Sequence, residues 1–130
     1  MLKLHILDGL YRHSSNVAHG VEVQPGARLL FTNGQVGTRP DGTTPETTAE
    51  QAVVVFARLE AVLAAARMAF SDIVRLTVFL TDQADVGTFV EARYRVMGDH
   101  KPGAIILVVK GLARPELKIE IEAIAAKVDG

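Results

Sequence analysis

The 130-residue sequence predicts one α+β domain in which two helices cover one face of a β-sheet. Segments whose apolar and polar residues alternate, as in strands, are interspersed with two segments that have a helical period. The chain is long enough for one hydrophobic core, and it contains no Pro- or Gly-rich stretch long enough to link two domains. We therefore expect residues 1–130 to form a single domain.

The first part of the chain predicts short strands. Residues 21–23 and 29–31 are β-prone, and Pro25 and Gly26 between them suit a turn, so we expect a β-hairpin. The segment "TRPDGTTPE" that follows is dense in Gly, Pro, Asp and Thr, which is typical of an exposed loop.

The first helix is predicted over residues 48–68. Thr47 and Glu50 have the spacing of a capping box at its start. Apolar residues then recur at alternating spacings of four and three, as expected for one buried helix face: Ala52, Phe56, Leu59, Leu63 and Ala66. The next segment, "IVRLTVFL", alternates over residues 73–80 and predicts a strand.

The second helix is capped in this prediction by Asp82 or Asp85 and ends near Gly98. Its inward side chains are Phe89, Ala92, Val96 and Met97. The segments "AIILVVK" and "ELKIEIEAIA" then predict two final strands.

The sheet face without helices is expected to be mixed in character. It would hold Arg75, Thr77, Lys118, Glu120 and Glu122, a set too polar for a core, beside apolar positions that should not remain wholly hydrated. We therefore expect the sheets of several subunits to meet at this face, with charged residues along the seams between them.

The composition excludes several classes of function. No cysteine is present for a disulfide, a thiolate metal site or a nucleophile. The net charge of -1 and the absence of a basic cluster argue against nucleic acid as a partner. No apolar run suits a signal peptide or a membrane span, so we expect a soluble, cytoplasmic protein. The histidines, His5, His13, His19 and His100, lack metal-ligand spacing, and we expect no metal and no other cofactor.

Three segments in this order, "LLFTNGQVG", "VRLTVFLTDQADVGTF" and "KIEIEAIA", resemble the YjgF/RidA family, often labelled endoribonuclease L-PSP or translation inhibitor. The resemblance implies a chorismate-mutase-like α+β fold with a mixed sheet, a homotrimer, and clefts between neighbouring subunits that bind small metabolites. The best-known members hydrolyse reactive enamines or imines such as 2-iminopropanoate to the keto acid and ammonia.

Site residues are implied by the resemblance position by position. The family's catalytic glutamate falls on Glu120, whereas its substrate-binding arginine falls on Ala104. The family's early tyrosine and serine fall on Val17 and Ala18, and an asparagine of its second helix falls on Glu91. The implied substrate-binding positions are therefore Val17, Asn33, Gly34, Gln35, Glu91, Tyr94 and Ala104.

The missing arginine changes the expected chemistry. A charge-assisted pair contributes about 1.5 to 3 kcal/mol, so a 2-imino acid should bind weakly unless Lys101, Arg39 or Arg93 supplies another cation.

Three functions remain open at this point. In the first, the chain is a divergent hydrolase of a small carbonyl, imine or enamine metabolite, and Glu120 activates the attacking water. In the second, it is a non-catalytic metabolite-binding or regulatory trimer. The third alternative, an endoribonuclease, is disfavoured by the charge. The alternative without a functional role is that Glu120 is a solvated surface carboxylate and that Gly34 permits a β-bulge at the end of a strand.

Overall fold

The structure is a computed structural model that describes residues 2–12 and 17–129. His13, considered above as a metal ligand, lies outside the described residues. The described chain forms, in order, strands β1 (Lys3–His5), β2 (Gly20–Glu22), β3 (Arg28–Phe31) and β4 (Gln35–Val36), helix α1 (Thr48–Ala65), strand β5 (Ile73–Leu80), helix α2 (Val86–Met97), and strands β6 (Gly103–Val108) and β7 (Ile119–Lys127). None of the described helices has the length and apolar character needed to cross a membrane.

The main sheet is mixed. Its strands lie in the order β3-β7-β5-β6, and β4 pairs with another part of β7. The β5–β6 pair is parallel, whereas β7 is antiparallel to β3, β4 and β5. Parallel pairing of β5 and β6 requires a crossover, and α2 provides it.

Both helices pack on one face of this sheet and form the core with it. The inward side chains of β5 and β7 alternate with outward ones, as the sequence predicts. Phe56 of α1 packs against Phe89 of α2, with ring centroids 6.3 Å apart. The predicted fold class, two helices on one face of a mixed sheet, is confirmed.

The predicted hairpin is wrong. The turn forms, with Gly26 at φ +80°, but β2 pairs with β1 in a separate two-stranded sheet and β3 pairs with β7. A turn sequence fixes where the chain reverses but not which strand becomes the partner, and pairing with the long β7 places Leu30 against the core.

The buried stripe of α2 also differs from the prediction. It consists of Phe89, Arg93 and Met97, whereas Val96 is 39% exposed. These three residues follow a spacing of four, which outlines a single face of the helix. Arg93 is accommodated there because its Nη2 donates to the carbonyl oxygen of His100 at 2.6 Å.

Helix α1 begins at the predicted cap and ends earlier than predicted. Thr47 Oγ1 accepts from the Glu50 amide at 3.2 Å and donates to Glu50 Oε1 at 2.8 Å. At the other end, Arg67 N–H donates to Ala64 O at 2.9 Å and Met68 N–H donates to Leu63 O at 2.8 Å, the Schellman arrangement. Arg67 occupies the left-handed position of this motif with φ +57°, which ends the helix at residue 65 instead of 68.

Arg67→Gly should stabilise the protein by about 1 kcal/mol, because a side chain in left-handed backbone is strained and glycine removes the strain. Chemical denaturation of wild type and variant measures the difference. Arg67→Ala is the matched control: it removes the charge but keeps Cβ, so it should give no comparable gain. Equal gains for the two variants would mean that charge, not backbone strain, is responsible.

Candidate functional site

The sheet face without helices combines charged and apolar side chains. Along β7 it presents Glu120 and Glu122, which lie opposite Phe79 and Thr77 of β5. Large apolar residues of this face are 43 to 66% exposed: Leu29, Phe31, Ile105 and Leu107. The face is therefore both a charged surface and an uncovered apolar one.

Glu120 lies half-buried against Gly34. A Cβ built on Gly34 would lie 2.8 Å from Glu120 Cδ and would overlap Oε2. A side chain at position 34 would therefore displace the carboxylate, which stands at the end of the flexible Glu120 side chain. The two residues come from different segments, since Gly34 precedes β4 and β4 pairs with β7 at Val36 and Glu120.

The neighbours of Gly34 differ in their surroundings. Asn33 is exposed. Gln35 is buried, and its Oε1 accepts from Arg58 Nε at 3.0 Å while its Nε2 donates to Asn33 O at 3.2 Å. The Gln35 side chain therefore fixes β4 to α1, whereas Gly34 lies beside the Glu120 carboxylate.

A second cluster forms a cavity of about 250 Å³. We call it the arginine pocket, and its lining residues are Tyr11, Arg12, Val17, Ala18, His19, Arg75, Gly103 and Ala104. It brings together Val17 and Ala104, two of the positions implied by the resemblance, and adds two arginines that the sequence interpretation did not place at the site.

Arg75 reaches this pocket because of the pairing between β5 and β6. It lies opposite Gly103 in the parallel register, and its Nε would be 3.6 Å from a Cβ built on Gly103. The guanidinium therefore lies beside Gly103 at the start of β6, and both residues line the pocket.

The Arg12 side of the pocket is held by His19. The Leu7 amide donates to His19 Nδ1 at 3.0 Å, and His19 Nε2 is 3.1 Å from Tyr11 O. Because Nδ1 accepts a hydrogen bond, the ring proton lies on Nε2, which donates to Tyr11 O. The imidazole thus fixes the backbone that presents Arg12.

The pocket is electrostatically unbalanced. None of its described lining residues is a carboxylate. Nη1 of Arg12 is buried and has no hydrogen-bond partner among the residues that the structure describes. Nor does any hydrogen bond or ion pair join Arg75 to the part of the chain that the structure describes.

The cations suggested by the sequence lie elsewhere. Arg93 is buried beneath α2, where desolvation lowers the pKa of its guanidinium. Arg39 Nη1 donates to Thr43 Oγ1 at 3.2 Å in the loop before α1. Neither of them, nor Lys101, lines the arginine pocket.

Glu91 and Tyr94 are on the outer surface of α2. Glu91 Oε1 accepts from Arg95 Nη2 at 2.6 Å, one helical turn away, and Tyr94 is 55% exposed. Glu91 lines a different cavity, of about 430 Å³, between α1 and α2. Within one chain the structure therefore does not bring these two residues to Glu120 or to the arginine pocket.

Glu120 and the arginine pocket are also separate within one chain. Arg75 lies opposite Ile124 of β7, four residues along the strand from Glu120, which corresponds to about 13 Å. The implied site residues thus divide into a carboxylate half with Gly34 and Glu120, and the arginine pocket with Val17 and Ala104.

Comparison with known proteins gives consistent matches. The model of the endoribonuclease L-PSP family matches residues 16–127. The chain is 35% identical to the 2-iminobutanoate/2-iminopropanoate deaminase of Escherichia coli strain K12 over 104 residues, 76% of this chain and 80% of that protein. It is 32% identical over 102 residues to the rat protein of the same name, covering 77% of this chain and 74% of that one.

Solved structures match over most of the chain. The Yersinia pestis protein YyfB, of the Rid family and of unknown function, superposes with a TM-score of 0.86 at 27% identity, covering 97% of this chain and 98% of that one. Escherichia coli TdcF with bound serine superposes with a TM-score of 0.72, also at 27% identity, covering 88% of this chain and 96% of that one.

Proposed function

Because the chain belongs to the endoribonuclease L-PSP family, also known as the YjgF/RidA family, we propose that it binds a small imine or enamine metabolite between two subunits of a homotrimer and hydrolyses it to the carbonyl compound and ammonia. The single observation that supports this most strongly is the Glu120 carboxylate, held against Gly34 at a sheet face that is open in the single chain.

The reaction needs one water and one proton carrier. Water adds to the imine carbon, Glu120 accepts a proton from that water, and the nitrogen gains the protons that make it a leaving group. The carbon–nitrogen bond then breaks to give a carbonyl group and ammonia. Glu120 ends the cycle in its starting protonation state, so no metal, oxidant or other co-reactant is required.

A subunit interface would join the two halves of the site. In a single chain, Glu120 is about 13 Å along β7 from the strand position opposite Arg75. Packing of sheet faces between subunits would cover the exposed Leu29, Phe31, Ile105 and Leu107. It would also bring the carboxylate of one subunit towards the arginine pocket of the next.

The trimer makes a direct prediction. Sedimentation equilibrium at micromolar concentration should give a mass about three times that of the 14.0 kDa chain. Phe31→Glu should dissociate the assembly, because it places a charge in the apolar interface. Val53→Glu, at a similarly exposed residue of α1, should leave the mass unchanged. A wild-type mass near that of one chain would contradict the proposed assembly.

An ammonia-release assay tests the proposed reaction. A 2-imino acid is generated continuously by an amino-acid oxidase, and the appearance of ammonia and keto acid is followed with and without the protein. The rate should exceed that of spontaneous hydrolysis. A spontaneous rate combined with saturable binding of keto acids would instead favour the non-catalytic metabolite-binding trimer, which is the alternative that Ala104 supports.

A further inference from the structure

We propose that the arginine pocket selects a ligand with two negative charges, namely a small 2-imino or 2-oxo dicarboxylate, and that Arg75 and Arg12 are the residues that determine this specificity. The inference rests on the proposed function only for the position of the reacting carbon. The charge of the ligand is argued from the pocket of one chain, and the Glu120 carboxylate of the neighbouring subunit is assigned to the attacking water and not to pairing with either arginine.

The first step is the absence of a protein counter-ion. Two guanidinium groups line the cavity, and none of the lining residues that the structure describes in the same chain is a carboxylate. Nη1 of Arg12 is removed from solvent and has no acceptor within residues 2–12 and 17–129. Leaving a buried charged donor unpaired is costly, so the arrangement is that of a site whose missing acceptors come from a bound anion.

The second step concerns the number of charges. Each guanidinium can form two parallel hydrogen bonds to one carboxylate. Arg12 and Arg75 come from different elements, the segment after β1 and the start of β5. A monocarboxylate can form these two parallel bonds with only one of the guanidinium groups. A dicarboxylate provides one planar carboxylate for each guanidinium group and neutralises both charges.

The third step is the space at the start of β6. Gly103 pairs with Arg75 and has no side chain, so the guanidinium lies beside the start of β6. Ala104 pairs with Leu76, so its side chain starts on the opposite face of the sheet from that of Arg75. The cationic groups of the pocket are thus supplied by Arg75 and Arg12 and not by position 104.

The size of the pocket agrees with such a ligand. Its volume of about 250 Å³ lies just below the range of pockets for drug-sized molecules, and it equals about eight water molecules at liquid density. A five-carbon dicarboxylate such as 2-oxoglutarate is small enough for this volume.

Isothermal titration of the wild-type protein tests ligand charge without any variant. 2-Oxoglutarate and 2-oxobutanoate share the 2-oxo acid group and differ mainly in the second carboxylate. We expect 2-oxoglutarate to bind about tenfold more tightly or better, since a charge-assisted pair contributes about 1.5 kcal/mol or more. Equal affinities, or the absence of binding by either compound, would overturn the proposal.

Variants then assign the two charges. Arg75→Ala and Arg12→Ala should each weaken 2-oxoglutarate binding by about 10- to 100-fold and reduce its advantage over 2-oxobutanoate. The affinity of the Arg75→Lys variant for 2-oxoglutarate should lie between those of wild type and Arg75→Ala, because lysine keeps the charge but cannot form two parallel hydrogen bonds to one carboxylate. Arg67→Ala, at the end of α1, should bind as wild type does. An unchanged affinity in both alanine variants, with folding verified by circular dichroism, would contradict the assignment.

The two proposals fail in different ways. Arginine-dependent binding of 2-oxoglutarate without ammonia release from any imine would refute the hydrolase and leave the dicarboxylate site in place. Hydrolysis of 2-iminopropanoate that is insensitive to Arg75→Ala, together with equal binding of the two keto acids, would refute the dicarboxylate site and leave the hydrolase.

Discussion

Replacing Glu120 with glutamine should lower kcat for imine hydrolysis by about 10²- to 10⁴-fold, the usual contribution of a positioned general base. Glutamine has nearly the same shape, so it should still fit against Gly34, but it cannot accept the proton of the attacking water. The affinity for 2-oxoglutarate should remain close to that of wild type, because the arginine pocket is unchanged. Stopped assays of ammonia release and isothermal titration measure the two effects separately.

Glu122→Gln is the matched control for this variant. Glu122 lies on the same strand and the same face, two residues away, and it is exposed. Glu122→Gln removes the same charge as Glu120→Gln, but from a carboxylate that we do not assign as the base. The kcat of this variant should therefore stay within a few-fold of wild type. Equal losses in the two variants would indicate a general electrostatic effect, and an active Glu120→Gln protein would exclude Glu120 as the base.

Gln51→Leu should destabilise the fold by about 3 kcal/mol, because it leaves three buried or partly buried backbone groups without partners. Gln51 is fully buried. Its Nε2 donates to Pro45 O and to Glu116 O, each at 2.9 Å, and its Oε1 accepts from the Lys118 amide at 2.8 Å. These bonds fix the chain as it enters β7, two residues before Glu120.

Urea denaturation measures this effect. Gln83→Leu is the control, since it makes the same chemical change at an exposed residue, and it should alter the free energy of unfolding by no more than about 0.5 kcal/mol. A loss below about 1 kcal/mol for Gln51→Leu would show that water replaces the amide and satisfies the three groups.

Local patterns in the sequence predicted the elements well. The alternation in "IVRLTVFL" gave strand β5 over residues 73–80, and the Thr47–Glu50 pair located the start of α1. Pairing between strands was predicted less well. The partner of β3, at residues 28–31, is β7 at residues 124–127, and nothing in a local pattern identifies a partner at that distance.

The site was predictable only in part, for the same reason. The resemblance identified Glu120 as the candidate base and Ala104 as a departure from the family pattern, and the roles of both remain predictions. Arg75 looked like an ordinary polar residue on the outer face of a strand. Only the parallel register of β5 and β6 places it beside Gly103, and only the fold of the N-terminal segment adds Arg12 to the same pocket.

The central claim is that each site combines Glu120 of one subunit with the arginine pocket of its neighbour, and subunit mixing tests it most directly. Glu120→Gln and Arg75→Ala proteins, each defective in hydrolysis of 2-iminoglutarate, are unfolded together and refolded in equal amounts. Random trimers should then regain about a quarter of the wild-type rate, because one site in four combines an intact carboxylate with an intact arginine. Activity that stays at the level of the separate variants, although native mass spectrometry detects mixed trimers, would contradict a site shared between subunits.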